Sequence, residues 1–173
     1  EEGKTTLAAN LAVVMSETNK KILLIDGDLR RATAGKYFNM RSSQAVGLST
    51  LLNNGRSSLN EAIQRTQVKN LDFLPAGPIP PNPSELLNSL RLNELFSELE
   101  DQYDAIIVDS PPLLVVTDAQ IFSSKVDGVI LVVRENRTKR NNLIKCKTLL
   151  ERSKAHLIGV VYNGAKSMGA GNY

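Results

Sequence analysis

The 173-residue chain has a single cysteine, Cys146, which excludes an internal disulfide framework and a multi-cysteine metal site. That scarcity fits a reducing compartment, and Cys146 reads as a buried or inert thiol. No apolar run approaches the roughly 18 residues of a membrane-spanning helix, and no signal-peptide pattern is seen. Charge is nearly balanced: 21 Lys and Arg against 18 Asp and Glu give +3 and a pI near 9.0, too mild a bias to argue for a nucleic-acid partner. Histidine is confined to His156, with no partner motif around it, so a surface or packing role is expected. There is no internal repeat, low-complexity tract or linker, and 42% hydrophobic with 23% charged residues describes one ordinary folded domain.

What is present is an alternation of apolar strand-like runs with longer amphipathic stretches, the pattern of a parallel α/β sheet covered by helices on both faces. Strands are expected at Ile22 to Asp26, Leu71 to Leu74, Ala105 to Asp109, Val129 to Val133 and Leu157 to Tyr162. Helices are expected from Lys4 to Glu17, around Ser58 to Gln64, from Ser84 to about Leu99, from Asp118 to Lys125 and from Thr138 to Ser153. Ser58 and Glu61 have capping-box spacing. The stretch PAGPIPPNPSELL, Pro75 to Leu87, breaks the rhythm: its prolines describe a stiff loop, and Ser84 is expected to cap the helix that follows.

Three stretches carry chemistry. Gly3-Lys4-Thr5-Thr6 ends a phosphate-loop pattern and starts a helix. Its N–H groups can receive phosphate oxygens, Lys4 can reach the β and γ phosphates, and the Thr5 hydroxyl can ligate Mg²⁺. LLIDGDLRR brings Asp26 and Asp28 to the carboxyl end of a buried strand, where ligands of open α/β sheets collect. YDAIIVDSPP brings Asp109 to the end of another strand, as a Walker B acid sits to hold Mg²⁺ directly or through water. Each has a bland alternative: an exposed helix start, a turn, or a common strand-end acid. Their co-occurrence in one α/β chain argues for an ATP and Mg²⁺ site. The strand and first glycine of such a loop would lie upstream of Glu1, so the single domain spanning 1–173 is expected to lack its N-terminal strand and the front half of the phosphate loop.

In this order and at these separations, GKTT, LLIDGDLR, PPNPSELL and YDAIIVDSPP resemble the cytoplasmic catalytic domain of the bacterial tyrosine kinases that control exopolysaccharide or capsule synthesis and export. The match runs from Gly3 to about Asn163, and PPNPSELL is its most discriminating part, because the related MinD/ParA ATPases share only the nucleotide motifs. The resemblance implies a P-loop NTPase fold, three-layer α/β/α, and autophosphorylation of tyrosines in a neighbouring copy's tail. It also implies a transmembrane chain-length-regulator partner or region, a ring-like homo-oligomer, and a location on the cytoplasmic face of the bacterial plasma membrane. By this resemblance Gly3, Lys4, Thr5 and Thr6 bind nucleotide, Thr5, Asp26 and Asp109 hold the metal, and Lys4, Asp26 and Asp28 are catalytic. Asp28 would orient or deprotonate the acceptor tyrosine. Because the transition state is loose, positioning and charge neutralisation matter more than a strong base.

Some residues keep two readings. Arg30 steadies the carboxylates or phosphates, or forms a surface salt bridge. Asn163 reads an adenine edge, or turns the chain with Gly164. The family's tail is tyrosine-rich, whereas GAGNY offers only Tyr173 as acceptor, and Tyr37, Tyr103 and Tyr162 read as structural. The basic residues Lys139, Arg140, Lys145, Lys147, Arg152 and Lys154 read as a solvated face, with anionic lipid or a neighbouring subunit as the second account. The function class opposed to the kinase is a MinD/ParA-like switch ATPase with water as acceptor. A nucleotide-binding module without catalysis is disfavoured by the presence of all five of Lys4, Thr5, Asp26, Asp28 and Asp109.

Overall fold

A computed structural model of the chain describes residues 2–41, 46–54 and 58–165. Among them the order is α1 (Lys4–Ser16), β1 (Ile22–Asp26), a 3-10 turn (Ala34–Phe38), α2 (Leu48–Asn54), α3 (Leu59–Ala62), β2 (Gln64–Arg65) and β3 (Leu71–Leu74). There follow α4 (Pro83–Leu87), α5 (Leu90–Glu100), β4 (Ala105–Asp109), α6 (Asp118–Ser123), β5 (Val129–Arg134), α7 (Arg140–Arg152) and β6 (Leu157–Asn163). All five expected strands are present, so the α/β class read from the apolar runs holds.

β1 is the centre of gravity because all five of its residues are buried. It pairs in parallel with β3 on one side and β4 on the other, and the short β2 adds antiparallel to β3. Alternation along β1 supplies two cores. Leu23 and Ile25 face Leu92, Leu95, Phe96 and Leu99 of α5, while Ile22 and Leu24 face Ala9 and Ala12 of α1 together with Phe38 and Phe73. The small alanines let α1 lie close to the sheet. α5 buries its leucines at helical spacing and turns Arg91 outward to Glu94 and Glu98.

Parallel strands β5 and β6 pair with each other, not with β4. A cavity of about 830 Å³ separates the β4 and β5 edges, lined by both strands, by Leu7, Leu11 and Met15 of α1 and by Leu143, Cys146 and Leu150 of α7. Facing that slot, Ala105 to Val108 of β4 are only half-buried, unlike their partners in β1.

The single helix expected from Ser84 is two helices. The break falls at Asn88 and Ser89, where extended Ser89 caps α5 and its hydroxyl donates to the Leu86 carbonyl at 2.7 Å. Ser84 is not the cap of α4 either, since Asn82 occupies that position and Pro83 begins the helix. At α3 the Ser58/Glu61 capping box is formed. The sequence reading omitted β2, α2 and the 3-10 turn. α2 begins where Leu48 and Ser49 donate to the carbonyls of Pro75 and Ala76, contacts that no local pattern announces.

Phe73 is fully buried with its ring centroid 6.2 Å from that of Phe38. Phe73→Ala is expected to lower unfolding free energy by about 3–5 kcal/mol, read from urea midpoints. A loss below about 1 kcal/mol would contradict this packing.

Candidate functional site

The phosphate-loop segment ends at Gly3, whose φ of 93° is left-handed, and α1 starts at once with Lys4. The backbone angle requires glycine, and a Cβ here would displace the Asn163 amide. Lys4 Nζ is 2.9 Å from Glu2 Oε2. Burial opposes the Glu2 charge, but the hydrogen bond and charge of Lys4 outweigh it and hold the carboxyl below its ordinary range. From the far end of the chain Asn163 Nδ2 donates to the Glu2 carbonyl at 2.8 Å. Asn163 thereby fastens the loop to the end of β6.

Asp26 and Asp109 end adjacent parallel strands at the same register position, and Gly27 N–H donates to the Asp109 carbonyl at 2.7 Å. A Cβ at Gly27 would sit 2.8 Å from that carbonyl oxygen, so the two strand ends can draw this close only with glycine there. Both acids are buried, Asp26 at 0% and Asp109 at 4% exposure. Asp26 accepts from the N–H groups of Asp28 (3.3 Å) and Ala34 (2.9 Å), which also anchors the 3-10 turn. Asp109 is pushed up to about 6, first by burial and then by the charges of Asp26 and Asp28, against a hydrogen bond from Thr5 and the charge of Lys4. The same balance shows that Lys4, Thr5, Asp26, Asp28 and Asp109 share one field.

Asp28 is half-buried, and its Oδ1 accepts from the N–H groups of Arg30 (3.1 Å) and Arg31 (2.9 Å). The Arg30 guanidinium is committed to a carboxylate outside this cluster. Its Nε and Nη2 reach Asp118 at 2.9 and 3.2 Å, and Nη2 also reaches Ser84 Oγ at 3.2 Å. Asp118 went unnoticed in the sequence because an acid in a helix's first turn has an ordinary explanation. Thr6 Oγ1 lies 2.6 Å from the hydroxyl of Tyr37, whose ring is about half exposed. Tyr103 is structural as expected: it is buried, donates to Asp72 at 2.9 Å, and burial pushes its hydroxyl well above the ordinary range. Tyr162 is exposed. Tyr173 lies outside the described residues. His156 is exposed with Nδ1 3.0 Å from the Asp127 carbonyl, Cys146 is buried, and the basic side chains of and around α7 are exposed.

A family model described as AAA domain matches residues 2–154. Tyrosine-protein kinase YwqD of Bacillus subtilis is 45% identical over 165 residues, covering 95% of this chain and 68% of that protein. The chain belongs to the bacterial tyrosine-kinase family. Among solved structures, the kinase domain of the Escherichia coli tyrosine kinase ETK superposes with a TM-score of 0.90 at 34% identity, covering all of this chain and 67% of that one. The septum site-determining protein MinD of Pyrococcus horikoshii, solved with Mg-ADP, superposes with a TM-score of 0.77 at 25% identity, covering 96% and 68%. The P-loop NTPase fold is thus common to the kinases and to MinD, and the greater likeness is to the kinases.

The raised Asp109 gives this tyrosine-kinase domain a defined pH signature. Between about 4 and about 6 the native state holds a proton that the unfolded chain has released, so this group's contribution to stability falls as pH rises through that window. In EDTA and without nucleotide, Asp109→Asn is expected to gain stability over wild type between pH 4 and pH 7, by up to about 3 kcal/mol in denaturant titrations. A wild-type-to-variant difference independent of pH would contradict the assignment.

Proposed function

We propose that this chain binds ATP with Mg²⁺ and transfers the γ-phosphoryl group to tyrosine, as an autophosphorylating kinase of exopolysaccharide or capsule synthesis and export. One observation carries the reading: the register of β1 and β4 levels Asp26 with Asp109 beside Lys4 and Thr5, with Asp28 two residues beyond. Gly3 to Thr6 would receive the phosphates on the N-terminus of α1, and Lys4 would exchange Glu2 for phosphate oxygens. Asn163 serves nucleotide binding by holding the loop.

The residues fit Mg²⁺. The Thr5 hydroxyl is hydrogen-bonded to Asp109, and the buried Asp109 feels the charges of both Asp26 and Asp28. Mg²⁺ takes few protein carboxylates and keeps waters and phosphate oxygens, which a hydroxyl beside two strand-end acids can accommodate. Thr5, Asp26 and Asp109 would hold it directly or through water. A bound Mg²⁺ would supply neutralisation of the charge that develops on the phosphate oxygens.

In the transfer, the bond from Pγ to the bridging oxygen of ADP breaks and a bond from the tyrosine oxygen forms. Asp28 orients the hydroxyl and takes its proton, while Lys4 stabilises the charge on the transferring group. Tyr173 is the acceptor within this sequence, presented to a neighbouring copy in a ring-like homo-oligomer. The partner is a transmembrane chain-length regulator, fused or separate, which sets the domain at the cytoplasmic face of the bacterial plasma membrane. Among the described residues no helix is long and apolar enough to cross a membrane. The slot between β4 and β5, lined by apolar side chains of two parallel strands, suits one further parallel strand, the one expected to feed the phosphate loop.

The test is to incubate the full-length protein with Mg²⁺ and ATP and follow intact mass and phosphotyrosine. Wild type is expected to gain phosphate on tyrosine and Lys4→Met none, and Asp28→Asn is expected to lose about 100-fold in transfer with ADP affinity little changed. ATP hydrolysis without phosphotyrosine would replace this reading with the switch ATPase.

A further inference from the structure

We propose that Asp118 and Ser84 are positioning residues for phosphoryl transfer, holding Arg30 and through it the loop that carries Asp28. The inference rests on the reading of Asp28 as the group that orients the acceptor tyrosine. Asp118 is fully buried, yet it is charged: burial alone would raise its carboxyl, and the hydrogen bonds of Arg30 and Ser84 turn the balance to a lowered value. Both of its oxygens are engaged. Oδ2 accepts from Arg30 Nε at 2.9 Å, and Oδ1 accepts from Arg30 Nη2 at 3.2 Å and from Ser84 Oγ at 2.6 Å. Ser84 Oγ in turn accepts from Thr117 at 3.1 Å and from Arg30 at 3.2 Å.

A buried carboxylate is a poor device for stability, because its desolvation offsets most of what the ion pair supplies. What a forked arginine on a carboxylate does supply is a fixed direction. Here it joins three stretches that leave the carboxyl ends of the sheet: the loop after β1 through Arg30, α4 through Ser84, and the start of α6 through Thr117 and Asp118. Arg30 donates its own backbone N–H to Asp28 Oδ1, as Arg31 does, so a shift of the Arg30 backbone moves the Asp28 carboxylate directly. This use of the serine also accounts for its freedom from capping duty, which Asn82 and Pro83 take over. The Pro-rich segment therefore delivers a hydroxyl to the acid that aligns the catalytic loop.

The test measures steady-state tyrosine transfer by the full-length protein for wild type, Ser84→Ala, Asp118→Asn, Arg30→Lys, Arg30→Gln and the double variant Ser84→Ala/Arg30→Gln. Ser84 is half-buried and replaceable without a buried charge being stranded, so Ser84→Ala keeps the test open should Asp118→Asn fold poorly. The single variants are expected to lose about ten-fold or more in kcat, while KM for ATP and ADP affinity change by less than about two-fold. Arg30→Lys does not rescue, because one ammonium cannot make the fork, and the double variant loses no more than the worse single. Unchanged kcat in folded Ser84→Ala, a rise in KM with kcat intact, or additive losses would overturn the proposal while leaving the kinase reading in place. A wild type that forms no phosphotyrosine would overturn both.

Discussion

The site depends on the parallel pairing of β1 with β4. Because the two strands run in the same direction and in register, Asp26 and Asp109 leave the sheet at the same height, and Gly27 lets the chains cross at a distance that any side chain would forbid. Both carboxylates are held away from water, and burial first, with the charges of Asp26 and Asp28 after it, pushes the Asp109 carboxyl up. The sheet's hydrophobic burial sustains that cost, since the leucines and isoleucines of β1 are buried on both faces, toward α1 and toward α5.

Around that pairing the chain uses long-range polar contacts to fix loops that the sheet alone would leave loose. Asn163, the last residue of β6, reaches Glu2 in the phosphate loop, and Asp118 reaches Arg30 across 88 positions. The 3-10 turn after β1 hangs from Asp26 through the Ala34 N–H. In the first two cases a side chain at the end of one strand or helix sets the path of a segment beside a different strand. The carboxyl ends of β1, β4 and β6 are thereby tied into one working surface, which among the described residues holds the candidate chemistry.

Much of this was legible in the sequence because its signals are local. Runs such as ILLID and AIIVD announce buried parallel strands, and an acid at the end of such a run announces the ligand edge. Gly-Lys-Thr at a helix start and the Ser58/Glu61 box work in the same way, within one turn. Features that depend on partners far along the chain were not legible. The helix starting near Ser84 carries good helix formers on both sides of Asn88-Ser89, and only the structure shows Ser89 extended and capping α5. Arg30 looked free to serve the carboxylates until the buried Asp118 claimed it. The separation of β5 and β6 from the four-stranded sheet was likewise hidden, because an apolar strand reads the same whether its edge is paired or faces a slot.

The account's central claim is that Asp26 and Asp109 act with the phosphate loop as a single Mg²⁺-nucleotide site. Calorimetric titration of ADP with and without Mg²⁺ tests it most directly, comparing wild type with Asp26→Asn and Asp109→Asn. The account predicts that Mg²⁺ tightens ADP binding in wild type and that either variant loses that gain while still binding metal-free ADP through Gly3 to Thr6. An Mg²⁺ gain that survives in both variants would contradict it, and the paired strand ends would then be a structural feature of the sheet alone.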